Sequence, residues 1–290
     1  MDMTVPEKLA ALRAAMEEKG VDGVYVPSAD PHMSEYLPGH WRGRAWLSGF
    51  TGSAGTLCVT KEKAALWTDG RYFIQAGRQL AGSGIELMRM AQPGVPTVEQ
   101  WLAETLPQGG VLAADGLCVS AAMVKTLRGA FEEKGICLRD EDFLTPLWTE
   151  DRPPVPATPA WMLTKDQAGL SVREKLAAVR EKLAAQKAGA MLVTRLDSVA
   201  WLLNLRASDI AYNPFALAYC LVEENTARLF IHLLLTVNYR PQHWRGLKIR
   251  RGQRVASVAK LAEELNMTPK CVRLALQRLA ESGEIACEPH

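Results

Sequence analysis

The sequence has no paired cysteine motif, no long apolar run and no strong excess of one charge. None of the six cysteines stands in a C-x-x-C pair, which argues against a zinc knuckle or redox motif and suits a reducing, cytoplasmic compartment. Its apolar runs are far shorter than the ~18 residues that span a bilayer, and the acidic N-terminus lacks an apolar signal core, so we expect no membrane association. The net charge of +2 excludes a uniformly basic or acidic chain.

What remains is an ordinary globular composition with an uneven charge distribution. The 290 residues are 48% hydrophobic and 23% charged, which indicates a chain of about two folded domains. Residues 240–290 hold ten lysines and arginines against five acidic residues, whereas the remainder is slightly acidic. This asymmetry indicates an anionic partner for the C-terminal segment.

Alternating helix and strand patterns predict an α/β domain over residues 1–150. Thr4 and Glu7 form a capping box ahead of a helical stripe that ends at Gly20. Predicted strands follow at 24–26, 56–60, 64–67, 85–88, 111–114 and 136–138. Predicted helices lie at 71–80, 97–106 and 120–134. Because residues 150–160 contain four prolines, we interpret 151–160 as an extended linker.

The second half begins in the same way and then changes character. A helix beginning at Ser171 and predicted strands at 191–194, 216–223 and 226–232 indicate a second domain over 161–236, and no internal repeat is recognisable by inspection. From residue 243 to 290 two short helices, 258–265 and 268–281, predict an all-α helix-turn-helix. Its outward face would contact DNA through the side chains of Lys270, Arg273, Gln277 and Arg278, with Arg250 and Arg251 on phosphates.

No catalytic signature with recognised spacing is present, so the candidate sites are local clusters. Asp30, His32 and Glu35 share one loop and have side chains that can ligate a metal; the alternative is a polar loop in which Ser34 or Asp30 caps a turn. In the second cluster Arg71 follows the Asp69-Gly70 pair. Arg71 would either grip a substrate carboxylate or form a charge pair, while Asp69 would cap the following helix and Gly70 would permit a tight turn.

A third cluster consists of glycines. Gly49, Gly52 and Gly55 would form either an anion-binding nest or a bend at which two backbones approach closely.

Five stretches in order resemble the non-catalytic N-terminal region of Xaa-Pro aminopeptidases (aminopeptidase P, creatinase superfamily) over about residues 5–232. They are PSADPHMSEY, LSGFTGSAGTLCVT, ALWTDGRYFIQA, LTPLWTEDRPP and DSVAWLLNLRASDIAYNPFALAY. The resemblance implies a ribonuclease-H-like α/β fold for 1–150 and the start of a second copy from 160. In that family a separate catalytic domain binds two divalent metals, typically manganese, and cleaves the bond before proline.

This sequence departs from that pattern, because no residue matches a metal ligand of the family. We therefore expect the second copy to be truncated, the catalytic domain to be missing, and the chain to have no catalytic residue, metal site or cofactor. It would be inactive alone, with other aminopeptidase P subunits as partners.

The C-terminal segment resembles a different family. Residues 243–286 are similar to winged helix-turn-helix modules of phage replication proteins, with the wing cut short, so the two resemblances join near residues 232–239. Two alternatives to the inactive N-terminal region follow: a DNA-binding protein, or a remnant whose incomplete second domain has an unpaired sheet edge near residues 226–235.

Overall fold

In this computed structural model the described residues are 3–224, 227–230, 242–244, 247–249 and Leu276. The chain divides into two units, Met1–Val155 and Pro156–His290, which are treated separately. No helix in the described ranges combines the length and apolar character that crossing a lipid bilayer requires.

The first unit is a six-stranded mixed sheet with helices on both faces. Its helices are α1 Val5–Glu18, α2 Gly43–Ser48, α3 Phe73–Gln79, α4 Val98–Thr105, α5 Ala121–Phe131 and α6 Leu144–Leu147. Its strands are β1 Gly23–Pro27, β2 Thr56–Thr60, β3 Ala64–Thr68, β4 Glu86–Arg89, β5 Val111–Ala114 and β6 Cys137–Asp140. The strand order is β4-β3-β2-β1-β5-β6. The pairs β1–β5, β5–β6 and β3–β4 are parallel, and β2 runs antiparallel to both neighbours.

Side-chain alternation along β1 divides the buried residues into two clusters, one on each face of the sheet. Val24 and Val26 pack in a cluster with residues of α1, α2 and α3. Tyr25 points the other way and packs with residues of α4 and α5. The first sheet is therefore a two-sided core, as the alternating pattern of the sequence predicts.

After one short strand and one short helix, the second unit repeats the helix–strand–helix succession with which the first unit begins. Its helices are α7 Lys165–Ala168, α8 Val172–Ala185 and α9 Leu196–Leu202. Its strands are β7 Trp161–Met162, β8 Ala190–Val193, β9 Leu205–Arg206, β10 Tyr219–Glu223, β11 Ala227–Phe230, β12 Gln242–Trp244 and β13 Leu247–Ile249. The described strands form a three-stranded sheet, β11-β10-β8, and the two-stranded pairs β7–β9 and β12–β13.

The two units are internal repeats, as the family resemblance implies, although inspection of the sequence alone shows none. Helices α1 and α8 are both 14 residues long and lie 167 positions apart. Each begins with a capping box, formed by Thr4 with Glu7 and by Ser171 with Glu174. The strand pairing also repeats. Tyr25 on β1 faces Cys58 on the antiparallel strand β2, and Leu192 on β8 faces Leu221 on the antiparallel strand β10. The side chains diverge, which hides the repeat at the sequence level.

A lysine–tryptophan clamp repeats in both units. The Lys8 ammonium donates to the Trp46 carbonyl at 3.0 Å and lies 4.7 Å from the Trp46 ring centroid. The Lys175 ammonium donates to the Trp201 carbonyl at 2.8 Å and lies 4.8 Å from that ring. Each clamp fixes a 14-residue helix, α1 or α8, to the short helix that follows the next strand, α2 or α9.

Most predicted elements of the first unit are present, and the differences have local causes. The predicted helix 71–80 begins at Phe73, because the preceding residues form a turn. The helix α2 was not predicted, since its N-cap residue, Arg42, makes no side-chain capping hydrogen bond and the helix is only six residues long. The helix α6 was also missed, since Pro146 lies within its four residues.

In the C-terminal segment the described residues are few. The hairpin of β12 and β13 lies where an all-α module was predicted, and only two residues separate its strands, a spacing typical of hairpins. Of the two predicted tail helices, Leu276 alone is described, and it is helical.

Candidate functional site

The loops at one edge of the first sheet form the candidate site. Strands β1, β3, β5 and β6 all end at this edge, where the crevice of an α/β sheet binds its ligands. We define the loop edge as residues 28–42, 49–55, 69–72, 115–120 and 141–143. The three clusters singled out in the sequence of the first unit all lie on it.

Arg44 on α2 holds two of these loops together from the inside. Its side chain is only 4% exposed, and it donates to Ser28 Oγ at 2.9 Å, to the Phe50 carbonyl at 2.6 Å and to the Gly52 carbonyl. The guanidinium carbon lies 4.8 Å from the Phe50 ring centroid. Burial lowers the pKa of Arg44 to about 10, so the group is charged at neutral pH.

The glycine cluster makes one close approach between backbones, at Gly55, as the second interpretation held. A Cβ at Gly55 would lie 2.9 Å from the Trp67 carbonyl oxygen, whereas Gly52 packs against the rings of Phe50 and Tyr72. Of the three glycines only Gly49 has a positive φ. The small residues at 52 and 55 therefore let this loop pack closely against the end of β3 and the neighbouring rings.

Asp69 and Arg71 form an exposed ion pair. The Arg71 guanidinium donates to the Asp69 carboxylate at 2.8 Å, and the Arg71 amide donates to the same group at 3.1 Å. That guanidinium holds the pKa of Asp69 below its usual value. The expectation that Asp69 caps a helix is wrong, because its carboxylate closes the turn before α3. Tyr72 joins this loop to the glycine loop through a 2.7 Å hydrogen bond to Ser53.

Asp30 is a turn-forming residue rather than a demonstrated metal ligand. It is fully buried, and its Oδ1 accepts from the amides of His32 at 2.9 Å and Ser34 at 3.0 Å. Across the described ranges no three His, Cys, Asp or Glu residues are grouped to hold a metal ion. The remaining member of the predicted cluster, Glu35, is exposed and lies within electrostatic reach of Arg71.

A small polar pocket behind the loop edge was not predicted from the sequence. It has a volume of about 40 Å³ and lies where β1, β5 and β6 end, lined by His40, Asp115, Cys118, Asp142 and Arg152 among others. Such a volume accommodates water but not a peptide. Its residues come from separate segments, so only the rule that polar residues following parallel strands converge would have found it.

The chemistry of this pocket is not nucleophilic. Burial raises the pKa of Asp115, with the nearby Asp142 adding to the effect, and burial raises the pKa of the Cys118 thiol. The thiol donates to Asp115 at 3.5 Å and stays protonated at neutral pH. Burial also lowers the pKa of His40. These groups lie behind the loops, whereas Glu35 and the Asp69–Arg71 ion pair are exposed at the surface.

The predicted DNA-contacting side chains lie outside the described residues. They are Lys270, Arg273, Gln277, Arg278, Arg250 and Arg251. Their role in binding DNA therefore stays a prediction.

Comparisons with protein families place both halves of the chain. The creatinase/prolidase N-terminal domain family matches residues 8–138, and a second family of the same description matches residues 151–287. The second match continues through the region in which the helix-turn-helix was predicted, so these comparisons lend that module no support.

Individual relatives agree. Aminopeptidase P2 of Arabidopsis thaliana is 37% identical over 99% of this chain and 41% of its own length. A probable Xaa-Pro aminopeptidase P of Sordaria macrospora is 40% identical over 80% of this chain and 38% of its own length. The crystal structure of an X-prolyl aminopeptidase from Caenorhabditis elegans, described as a cytosolic enzyme with a di-nuclear active site, matches with a TM-score of 0.73. It is 36% identical and covers 79% of this chain and 39% of that one.

The chain spans about two fifths of the length of these relatives. It carries two creatinase/prolidase N-terminal domains, and its homologues are Xaa-Pro aminopeptidases.

Proposed function

We propose that this chain is the non-catalytic N-terminal region of a cytoplasmic Xaa-Pro aminopeptidase, and that its loop edge faces the polypeptide that carries the catalytic metals. The observation that carries the proposal is the convergence of three family-like motifs on one edge. Arg44 ties two of these loops together through Ser28, Phe50 and Gly52, while the side chains of Glu35 and Arg71 are exposed at the surface. Rigid loops that present charged side chains are typical of a recognition surface.

The described residues do not fit the two divalent metals of the related enzymes, since they contain no group of three suitable ligands. No hydrolytic step is therefore assigned to this chain. The loop edge instead restricts access to a neighbouring catalytic site and contributes to contacts between subunits.

Two measurements test the proposal. The purified chain, supplied with Mn²⁺ and an X-Pro peptide, is expected to release no N-terminal residue; turnover would contradict the absence of catalytic groups. The chain is also expected to bind a separately produced catalytic fragment of a relative such as the Arabidopsis aminopeptidase P2, measured by sedimentation or calorimetry.

A charge reversal identifies the surface. Arg71→Glu removes the exposed cation of the loop edge and is expected to weaken that binding by roughly tenfold, which corresponds to 1.4 kcal/mol. Arg128→Glu, on the exposed part of α5, is the matched control and is expected to bind as the unaltered chain does. Equal loss in both variants would show that general charge, not the loop edge, drives association.

A further inference from the structure

The second unit contains an apolar groove between α8, β8 and α9. Its volume is about 400 Å³, and it is lined by Val179, Met191, Val193, Ser198, Trp201 and Leu202. Trp201, the tryptophan of the lysine–tryptophan clamp in this unit, forms one wall of the groove and is 51% exposed. A groove of this size and lining is in the range of a binding site for a few large side chains.

The internal repeat allows the groove to be compared with the equivalent region of the first unit. Its floor residues Val179, Met191 and Val193 lie 167 positions after Leu12, Val24 and Val26 of the first unit. Its wall residues Ser198, Trp201 and Leu202 lie 155 positions after Gly43, Trp46 and Leu47. Every apolar wall of the groove thus has an equivalent in the first unit.

In the first unit the equivalent space is filled by the segment Phe143–Trp148. Phe143, Leu144 and Leu147 pack in the cluster that contains those floor residues. Leu144 sits against Gly43, where an added Cβ would lie only 2.2 Å from its Cδ1. Trp148 stacks on Trp46 with ring centroids 5.3 Å apart. One short aromatic and aliphatic segment therefore completes that half of the core.

The charged side chains around the second groove are already engaged within the unit. Lys175 lies under the Trp201 ring, but it is only 2% exposed and its ammonium donates to the Trp201 carbonyl and to Asn204 Oδ1. The acidic residue of the lining, Asp197, is paired with Arg195 at 2.7 Å. Apolar contact therefore decides what the groove binds, and the segment that fills the equivalent space in the first unit lies within residues 141–151, EDFLTPLWTED.

We propose that this groove binds a peptide segment of the Phe-Leu-x-x-Leu-Trp type, supplied by a partner polypeptide. The phenylalanine and leucine side chains would fill the apolar floor, and the tryptophan would stack on Trp201. The proposal rests on the repeat within this chain and does not depend on the proposed aminopeptidase role.

The test uses a fluorescein-labelled synthetic peptide, EDFLTPLWTED, titrated with the full chain and followed by fluorescence anisotropy. Saturable binding is expected. Ser198→Phe places a ring in the seat that Leu144 occupies in the first unit, and is expected to weaken binding by roughly tenfold or more. Ser208→Phe is the matched control, because Ser208 is an exposed serine of the same unit outside the groove lining, and it is expected to bind as the unaltered chain does.

A second peptide separates side-chain packing from charge. Replacing the phenylalanine, both leucines and the tryptophan by alanine keeps all four acids, and this peptide is expected not to bind. The proposal is overturned if the alanine peptide binds equally, if Ser198→Phe has no effect, or if the unaltered chain shows no saturable binding. The last result would mean that the chain's own residues or a second copy hold the groove.

Discussion

The two units place the same lysine–tryptophan clamp on the same pair of helices, but only the first buries a charge beside it. Arg44 and Val199 occupy equivalent positions, two residues before the clamp tryptophan, and are 4% and 1% exposed. The second unit shows that the scaffold is satisfied by an apolar residue at this position. The charge of Arg44 therefore serves the loops of the first unit, not the fold.

The units also differ in how their sheets are covered. Tyr25 in the first sheet is 5% exposed because α4 and α5 pack over it, whereas the equivalent Leu192 is 60% exposed. Within the described residues the second sheet thus has a packed face toward α8 and α9 and an open opposite face. Stability should follow coverage, since buried apolar area dominates the free energy of folding.

The largest expected effect tests that difference with a matched pair of substitutions. Leu12→Ala empties a fully buried position of α1 and is expected to lower the free energy of unfolding of the first unit by about 3 kcal/mol. Val179→Ala, at the equivalent half-buried position of α8, is expected to cost the second unit only about 1 kcal/mol. Hydrogen exchange read by mass spectrometry reports each unit separately. Equal losses of unfolding free energy in the two units would contradict the link between sheet coverage and stability.

A smaller effect is expected from exchanging the buried residue itself. Arg44→Val installs the residue of the second unit and leaves the Phe50 and Gly52 carbonyls without a donor, so we expect a loss of about 2 kcal/mol. The loops should also become mobile, which exchange of amides 49–55 would show. If those amides stay protected and stability is unchanged, Arg44 does not hold the loops.

The smallest effect is the contribution of Asp22 to the pH dependence of the first unit. Burial opposes ionisation of Asp22, but its hydrogen bonds from the Lys61 ammonium at 2.6 Å and the Val111 amide at 2.9 Å outweigh it and lower the pKa below 3.8. The stabilisation is therefore complete above pH ~4 and is lost as the pH falls through the lowered pKa.

Asp22→Asn should flatten this acid limb in unfolding titrations between about pH 2 and 5. The matched control is Glu18→Gln, at an exposed carboxylate of α1. The equivalent of Asp22 in the second unit is Gly189, so the second unit should lack this contribution. An unchanged acid limb in Asp22→Asn would remove this distinction between the units.

Local patterns predicted much of the fold, and distant contacts account for what they missed. The strand 111–114 and the capping box at Thr4 follow from short apolar runs and from residue spacing, which the sequence displays directly. The loop clusters were recognised singly, but their convergence depends on Arg44, whose partners lie 6, 8 and 16 residues away in a turn that no local pattern specifies. The repeat was implied by the family resemblance but not visible by inspection, because burial and backbone contacts, more than residue identities, are what the two units share.

The sequence spacing of the two clamp residues shows where the two copies differ in length. Lys8 and Trp46 are 38 residues apart, and Lys175 and Trp201 only 26, yet both pairs make the same contact. The twelve additional residues of the first copy fall between its first strand and α2, where Ser28, Asp30 and Glu35 lie. The 28–42 segment of the loop edge thus lies where the other copy has a connection twelve residues shorter. Because the clamp keeps its geometry with either connection, the length and chemistry of this loop can differ without moving the helices that hold it.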